Sequence, residues 1–319
     1  MRKVSLFLAA VMVLLLCGCG SPADTAQSAS LSVPGAGQSY SDSLEKHPDL
    51  PETQPPETLP EETQPSLLPV LSAPDDSDLV PVQSYIPGIL VDMKYAGEDN
   101  FTGQVIYEFS DVYLRYGTVK KLLAVQQELQ TMGLGLKIWD GFRPVQAQFD
   151  LWEIYPDPIY VANPNNGFSS HSRGNTVDIV LVDSFGQELP MPTGFDDFTL
   201  LADRNYSDCP ETAADNARLL EQIMQKHGFT GYYNEWWHYS DTDTYPVEHC
   251  FDPALISLGE PNCQEFITLR TQPDVHAAAL TTISVGETFL VLGYTDAFSL
   301  VQYQDMRGYV LTEYTVPRQ

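Results

Sequence analysis

The spacing of apolar residues predicts two amphipathic helices in the middle of the 319-residue chain. Over residues 118–134 apolar side chains recur every three or four positions, and Gly133 stands where such a helix would end. Residues 215–229 show the same spacing and are followed closely by a second helix-ending glycine, Gly228. A third helix is expected after Pro144, since proline is tolerated where a helix begins.

Short apolar runs predict strands that alternate loosely with these helices. They cover residues 136–142, 176–182 and 231–240, the last of them strongly aromatic. An extended segment over residues 86–96 precedes them. This order favours an α+β fold, a small antiparallel sheet with flanking helices, over a doubly wound parallel sheet. We place this domain at residues 80–262, which is long enough for one hydrophobic core.

After Asn262 the chain changes to short alternating strands separated by turn residues, which predicts an all-β domain over residues 263–319. Its Leu269-Arg-x-x-Pro opening, Gly286 before an apolar run, and the closing sequence GYVLTEY resemble a bacterial SH3-like barrel. The resemblance implies a cell-wall ligand or a protein partner for this domain. A barrel that only caps the preceding domain is the alternative.

The N-terminus has the layout of a secretory signal. Arg2 and Lys3 precede an apolar run that ends at Leu16 and is too short to span a bilayer. The sequence Leu16-Cys-Gly-Cys19 resembles the bacterial lipoprotein box, which implies that Cys19 is lipidated. We assign residues 1–19 to this signal and expect a protein outside the cytoplasm, attached to the membrane only by its lipid. An ordinary signal peptide is the alternative.

An acidic, proline-rich segment follows the signal. Residues 41–78 contain ten Asp or Glu against one Lys, and they lack the apolar residues that would offset the chain entropy lost on folding. We therefore expect residues 20–79 to form a solvated tether. The net charge of −27 also argues against binding of nucleic acid, which requires a basic surface.

Three cysteines remain once the signal is set aside: Cys209, Cys250 and Cys263. Outside the cytoplasm, an odd number allows one internal disulfide and leaves one free thiol. We expect Cys209 to pair with Cys250. The chain has no Cys-x-x-Cys pair beyond the signal, so zinc binding by these cysteines is not indicated.

Two of the six histidines stand in contexts that suggest chemistry, and His249 is a weaker candidate. His171 belongs to the pattern Ser-x-His-x-x-Gly-x-Thr-x-Asp, which ends at Asp178 within an apolar run. A buried carboxylate needs a partner or a metal ion. Residues seven apart in a regular strand point to opposite faces, but Gly174 can supply a bend that lets both side chains converge. An Asp–His pair without metal is the alternative.

The sequence Glu235-Trp-Trp-His238 adds a carboxylate and a second imidazole. Together, His171, Asp178 and His238 make the three-ligand set of a catalytic zinc, one ion per chain, with the fourth position open. Glu235 would then be the general base for the attacking water. The His-Glu-x-x-His motif of helical zincins and the Gly-x-Ser-x-Gly motif of serine hydrolases are both missing.

These motifs resemble those of the D-alanyl-D-alanine metallopeptidases. SSHSRGNTVD matches the family signature Ser-x-His-x-x-Gly-x-Ala-x-Asp except at Thr176, and EWWHY, WDGFRP and KYAGEDNFTG are similar to blocks of the VanX-type dipeptidase branch. The four blocks lie in the family's order across residues 86–252. The resemblance implies the hedgehog-like fold of this family and zinc-dependent cleavage between two D-alanines.

The resemblance also implies roles for single residues. His171, Asp178 and His238 would hold Zn²⁺ and Glu235 would move the proton, while Arg143 would stabilise the oxyanion with its fixed donors. Asp140 would orient Arg143 or close the site. The contacts to the substrate would fall on Asp196, Ser169 and Tyr95. As alternatives, Asp196 or Asp197 caps a helix and Tyr95 is a phenol of the core.

The activity that this resemblance implies is hydrolysis of D-alanyl-D-alanine outside the cytoplasm. One alternative is a D,D-carboxypeptidase that trims D-alanine from longer peptidoglycan peptides, which a closed pocket for the free ammonium would exclude. The other is a non-catalytic binding protein on the same scaffold. The presence of Glu235 and Arg143 argues against that second alternative.

Overall fold

Two β-sheets organise the computed structural model, which describes residues 73–158 and 160–318. The first sheet has the strand order β2-β4-β5-β7-β6, and a separate pair joins β1 to β3. These strands are β1 Leu79–Pro81, β2 Leu90–Val91, β3 Tyr113–Arg115, β4 Leu134–Asp140, β5 Thr176–Asp183, β6 Phe229–Tyr232 and β7 Glu235–Asp241. The α-helices are α1 Val82–Tyr85, α2 Tyr116–Thr131, α3 Val145–Ile154 and α4 Glu211–Lys226.

The three predicted helices are confirmed as α2, α3 and α4. Gly133 and Gly228 follow α2 and α4 with φ of +73° and +86°, the left-handed conformation that glycine adopts at little cost. Helix α4 begins at Glu211, earlier than predicted, and it buries Leu220, Ile223 and Met224 against the sheet, as the spacing of apolar residues indicated.

The first sheet is mixed rather than antiparallel, which corrects the predicted fold class in one detail. The edge strand β2 runs parallel to β4, whereas the other pairs in this sheet are antiparallel. A parallel neighbour requires a long crossover, and the chain between β2 and β4 contains helix α2. At the centre, β5 is buried from Thr176 to Val182, which explains its unbroken apolar run.

The aromatic run 231–240 is part of a hairpin and not a single strand. Strand β6 ends at Tyr232 and β7 begins at Glu235, so the turn lies at Tyr233 and Asn234. No glycine or proline marks this turn, and the prediction therefore missed it. Behind the turn, Trp236, Trp237 and Tyr239 are fully buried in the core.

The C-terminal part is all β, as predicted. Its seven strands are β8 Ser257–Pro261, β9 Phe266–Arg270, β10 Ala279–Ser284, β11 Phe289–Tyr294, β12 Phe298–Tyr303, β13 Met306–Leu311 and β14 Thr315–Pro317, in the order β10-β9-β13-β12-β11-β8-β14. The predicted boundary between residues 262 and 263 falls after the first of these strands, because β8 pairs with β11 and β14. The SH3-like topology stays a prediction.

The two sheets share an apolar contact. Phe142, which follows β4, packs against Phe251 with a ring separation of 5.4 Å. Leu292 and Leu300 of the second sheet complete this cluster with Leu79. The C-terminal sheet therefore packs directly behind the segment that carries Arg143.

The described residues include the last part of the predicted tether, residues 73–79. Asp78 N donates to Asp75 O at 2.9 Å, and the carbonyls of Asp76 and Asp78 accept from the first residues of α2. These contacts satisfy backbone N–H groups at the start of α2, so Asp76 and Asp78 are part of the folded domain. The predicted signal, the lipid site at Cys19 and most of the tether lie outside the described residues.

The expected disulfide between Cys209 and Cys250 is wrong, because Cys209, Cys250 and Cys263 are all free thiols. Each of the three cysteines packs against a different apolar cluster of the fold, so no two of them are in contact. No helix in residues 73–158 or 160–318 has the length and apolar character needed to cross a membrane.

Candidate metal centre and active site

A short 3-10 turn, Ser170–Arg173, carries His171. Ser169 Oγ accepts a hydrogen bond from the backbone N of His171, and Gly174 ends the turn with φ of +74°. A Cβ atom on Gly174 would lie 2.4 Å from Leu79, so both the conformation and the available space require glycine. The predicted bend at Gly174 is confirmed, and it leads the chain into β5, where Asp178 lies.

Strand β7 directs Glu235 and His238 into one cavity. In a regular strand, residues three apart point to opposite faces. Gly231 of β6 pairs with Tyr239 of β7, but the next residue, Tyr232, pairs with Glu235. The three β7 residues between Glu235 and Tyr239 therefore have no partner in β6 and form a bulge. This bulge turns β7 locally. As a result, Glu235 Oε2 lies 3.5 Å from His238 Nδ1.

Three potential ligand atoms converge beside this bulge. His171 Nε2 lies 3.3 Å from His238 Nδ1 and 3.4 Å from Asp178 Oδ2, and His238 Nδ1 lies 3.1 Å from Asp178 Oδ1. Tetrahedral zinc with bonds of about 2.0–2.1 Å separates its ligand atoms by roughly 3.3 Å. The spacing of the three side chains is therefore that of a zinc site.

The hydrogen bonding of the same residues supports this fit. Asp178 Oδ1 is buried and has no hydrogen bond of good geometry, and its neighbour His238 Nδ1 is itself a potential ligand, so a bound cation would satisfy both atoms. His171 Nδ1 lies 2.8 Å from the carbonyl of Gly141, so Nδ1 carries the proton and the lone pair of Nε2 faces the site. Among the described residues, His171, Asp178 and His238 form the one such group of His, Cys, Asp or Glu.

The charges in the site are strongly coupled. Burial opposes ionisation of Asp178, but His171 and His238 outweigh it and lower the pKa of this carboxyl. Burial raises the pKa of Glu235, and the neighbouring Asp178 raises it further, while His238 acts in the opposite direction. Asp178 is thus held as an anion, and Glu235 is a carboxylate that accepts a proton more readily than an exposed one.

Arg143 is held by three partners on the opposite side of the cavity. It donates to Asp140 Oδ2 at 2.7 Å, to Gln148 Oε1 at 2.9 Å and to the Tyr107 hydroxyl at 3.2 Å. The guanidinium also lies over the aromatic ring of Tyr95, with its central carbon 5.1 Å from the ring centroid. Because a guanidinium has five N–H donors, two remain for a ligand in the cavity.

Asp140 supports Arg143 and does not line the cavity. Its side chain is fully buried, and its other oxygen accepts from Tyr107 and from the backbone N of Gly141. Of the two predicted roles, orientation of Arg143 therefore fits these contacts, and closure of the site does not.

Asp196 lies in a turn and carries the left-handed φ of +52°. The Tyr95 hydroxyl donates to its Oδ2 at 2.8 Å, and both residues line the cavity. Burial raises the pKa of Asp196 well above its usual value, and the carboxylates of Asp178 and Glu235 add to this effect. The neighbouring Asp197 makes only a local contact, in which its Oδ1 accepts a hydrogen bond from Thr199 N, and neither aspartate caps a helix.

A cavity of about 260 Å³ joins these groups. Its lining includes all the predicted site residues except Asp140, namely Tyr95, Arg143, Ser169, His171, Asp178, Asp196, Glu235 and His238. The aromatic side chains of Tyr160, Phe168 and Tyr232 line the cavity as well. The weaker candidate His249 is exposed beside Phe168 and is not among the lining residues.

The prediction missed several residues that hold the site together. Tyr107 and Gln148 fix Arg143, and Arg204 contacts the backbone of the β6–β7 hairpin. Gln148 follows Pro144 by one helical turn, a spacing that could have suggested a role beside Arg143. Tyr107 and Arg204 stand in loops outside the quoted motifs, Tyr107 only four residues after the block that ends at Gly103, and no pattern in the local sequence pointed to them.

Comparisons with known proteins are consistent with this geometry. A family model described as D-Ala-D-Ala dipeptidase, an M15 peptidase family, matches residues 75–253. The D-alanyl-D-alanine dipeptidase of Escherichia coli (strain K12) is 37% identical over 175 residues, which cover 54% of this chain and 90% of that protein. The D-alanyl-D-alanine dipeptidase of Enterococcus faecium is 34% identical over 175 residues, covering 48% and 86%.

Among solved structures, that of the LdcB LD-carboxypeptidase is 20% identical and covers 52% of this chain and 68% of its own, with a TM-score of 0.31. At this level the likeness does not bear on function. The seven-stranded C-terminal sheet, which begins at Ser257, lies outside the residues that the family model matches.

Proposed function

Since the chain belongs to the D-Ala-D-Ala dipeptidase family of zinc metallopeptidases, we propose that it hydrolyses the free dipeptide D-alanyl-D-alanine to two D-alanines. One observation carries this proposal. A three-ligand zinc set, a carboxylate with a raised pKa, a charged guanidinium and the half-buried Asp196 face the same small cavity. These are the groups that cleavage of a short peptide with a free α-ammonium requires.

His171 Nε2, His238 Nδ1 and the Asp178 carboxylate would hold the zinc ion, because their atoms already have the required spacing. When bound, zinc supplies Lewis acidity, which lowers the pKa of a coordinated water and polarises the peptide carbonyl. The hydrogen bond from His171 Nδ1 to Gly141 O orients the ring so that Nε2 faces the metal site.

Glu235 would take a proton from the attacking water and deliver it to the nitrogen of the leaving amine. Its carboxylate lines the cavity next to His238, and burial raises its pKa toward the range in which proton transfer is efficient. Arg143 would stabilise the negative charge that develops on the carbonyl oxygen with its two remaining N–H donors. Asp140, Gln148 and Tyr107 keep these donors aimed into the cavity.

Asp196 supports a dipeptide over a longer substrate. A free α-ammonium is the group that a buried carboxylate recognises, and a peptide bond at the same place would leave that carboxylate uncompensated. Tyr95 donates to Asp196 and fixes its orientation, and Ser169 lies in the same cavity with an oxygen that can accept from the ammonium. Binding of the ammonium would in turn favour the ionised form of Asp196.

The test of substrate length compares D-Ala-D-Ala with its N-acetyl derivative and with a peptidoglycan pentapeptide. N-acetylation removes the charge, so the derivative should be the poorer substrate by about 2–5 kcal/mol, or roughly 30- to several-thousand-fold in kcat/KM. Asp196→Ala should abolish most of this difference by slowing the free dipeptide. The readout is the rate of D-alanine release for each substrate.

Asp197→Ala is the matched control, because it removes the adjacent carboxylate that accepts from Thr199. This variant should keep the preference for the free dipeptide. If the unmutated enzyme prefers the acetylated dipeptide or the pentapeptide, the dipeptidase proposal fails and a D,D-carboxypeptidase takes its place, with the zinc chemistry unchanged.

We also propose that the enzyme acts outside the cytoplasm, anchored by a lipid on Cys19 and extended by the acidic tether, with the C-terminal β-domain available to a cell-wall ligand. The lipoprotein-box sequence and the composition of residues 20–72 support this location. Because the C-terminal sheet packs behind Phe142, any wall ligand bound there would hold the active site close to the wall.

Cys19→Ser should abolish lipidation, because the thioether to the lipid requires that sulfur. We expect the variant to appear unprocessed or in the soluble fraction, and mass spectrometry of its N-terminal peptide should show no lipid. Cys17→Ser, two residues earlier, is the control and should keep both lipid and membrane attachment. A Cys19→Ser protein that is processed like the unmutated chain and still fractionates with membranes would contradict the lipid anchor.

A further inference from the structure

The side chain of Arg204 lies beneath the β6–β7 hairpin and is only 6% exposed. Its guanidinium donates to four backbone carbonyls of this hairpin. These are Tyr232 O at 2.8 Å, Glu235 O at 3.1 Å, Trp236 O at 3.2 Å and His238 O at 2.9 Å. The backbone N of Arg204 adds a fifth contact, to Tyr233 O at 2.9 Å.

The bulge in β7 explains why these carbonyls need an external donor. Three residues of β7 lie opposite one step of β6, so the regular ladder of N–H donors is interrupted there. Buried carbonyls without a donor are destabilising. The N–H groups of the Arg204 guanidinium take the place of the missing backbone donors. Their rigid, planar arrangement is a property of a guanidinium that an ammonium group lacks.

Gly231 makes room for this fork. A Cβ atom at this position would lie 2.2 Å from the guanidinium carbon of Arg204. No side chain larger than hydrogen therefore fits while Arg204 keeps its place. On its other side the guanidinium stacks on the Tyr239 ring at 4.4 Å and donates to the Tyr239 hydroxyl at 3.0 Å. Glu221 of α4, 3.6 Å away, balances its charge.

We propose that Arg204 is a positioning residue of the active site, because it holds the bulge that directs Glu235 and His238 into the same cavity. Without the bulge these two residues, three apart in a strand, would point to opposite faces of the sheet. Arg204 does not line the cavity, so it acts on Glu235 and His238 through their backbone carbonyls. The inference rests on the roles proposed above for Glu235 and His238.

Arg204→Met and Arg204→Lys test the proposal with readouts that do not depend on the substrate. We expect zinc affinity, measured by chelator competition, to fall about 10–100-fold, as it does when a group that orients a ligand is lost. The near-UV circular dichroism of the zinc-free protein should change, because Trp236 and Trp237 lie in the bulge. At saturating zinc, kcat should fall roughly 100-fold with a much smaller change in KM, because a misplaced base affects turnover.

Gly231→Ala should shift the same three quantities in the same direction, since it displaces the guanidinium without removing it. Arg218→Met is the matched control: Arg218 stands on α4 beside Tyr206 and does not contact the hairpin. It should leave all three quantities unchanged.

If the Arg204→Met protein does not fold, Arg204→Lys and Gly231→Ala decide the question. Folded variants with lower thermal stability but unaltered zinc affinity and kcat would overturn the proposal and reduce Arg204 to a structural residue. The outcome is separable from that of the proposed function, because zinc affinity and circular dichroism can be measured even on a protein that does not cleave D-Ala-D-Ala.

Discussion

Glu235→Gln is expected to lower kcat for D-Ala-D-Ala by about 10²–10⁴-fold while the protein keeps its fold and its zinc. Glutamine has nearly the same shape as glutamate but cannot accept a proton from the attacking water. Glu235 lies 3.5 Å from His238 Nδ1 without completing the three-ligand set, so its replacement leaves the metal site intact. Steady-state kinetics and elemental analysis of the same sample give both quantities.

Glu211→Gln is a suitable control for Glu235→Gln, because Glu211 is exposed at the start of α4 and remote in sequence from the site motifs. It should retain full activity. If Glu235→Gln turned over the dipeptide at close to the unmutated rate, Glu235 would not be the base. A variant that lost zinc together with activity would instead make Glu235 part of the metal site.

Asp178→Ala and His238→Ala should each lose both bound zinc and activity. Each variant removes one of three ligands, and Asp178 also supplies the negative charge that balances the cation between two neutral imidazoles. Activity lost by chelation of the unmutated enzyme should return on addition of zinc, whereas neither variant should recover. The zinc content after dialysis, measured by elemental analysis, is the direct readout.

Asp183→Ala is the matched control for Asp178→Ala, because Asp183 ends the same strand β5 and only accepts local hydrogen bonds from Phe185 and Gln187. It should retain one zinc ion per chain. A full complement of zinc in both the Asp178→Ala and the His238→Ala proteins would show that the ligands have been assigned wrongly.

The parts of the site that could be predicted are those encoded in short segments. A histidine, a glycine and an aspartate within eight residues identify a bend and two ligands, because the glycine conformation is a local property. Glu235 and His238 likewise stand three residues apart. The convergence of all these side chains depends on the bulge in β7, which involves pairing with β6 and could not be inferred from periodicity.

The residues that hold the catalytic groups in place could not be predicted from the sequence for a related reason. Arg143 is fixed by Tyr107, a loop residue 36 positions earlier in the chain, and the β7 bulge is held by Arg204 from another loop. A loop arginine or tyrosine has no periodic pattern, since its partners are backbone carbonyls and side chains from distant segments. The free thiols and the early start of the C-terminal sheet at Ser257 were missed in the same way.

By itself the sequence determined the helices α2 and α4 with their terminal glycines, the buried strand β5, and the chemical identity of the groups at the site. These features could be predicted because the spacing of apolar residues, the conformation of glycine and the chemistry of a side chain are local properties. They do not depend on contacts with distant parts of the chain. Only the tertiary structure decided that Asp140 supports Arg143 from behind, that Asp196 rather than Asp197 faces the cavity, and that Arg204 stabilises the hairpin. Those outcomes depend on contacts between segments that are distant in the chain, and the local pattern of one segment does not specify which residues of another it meets.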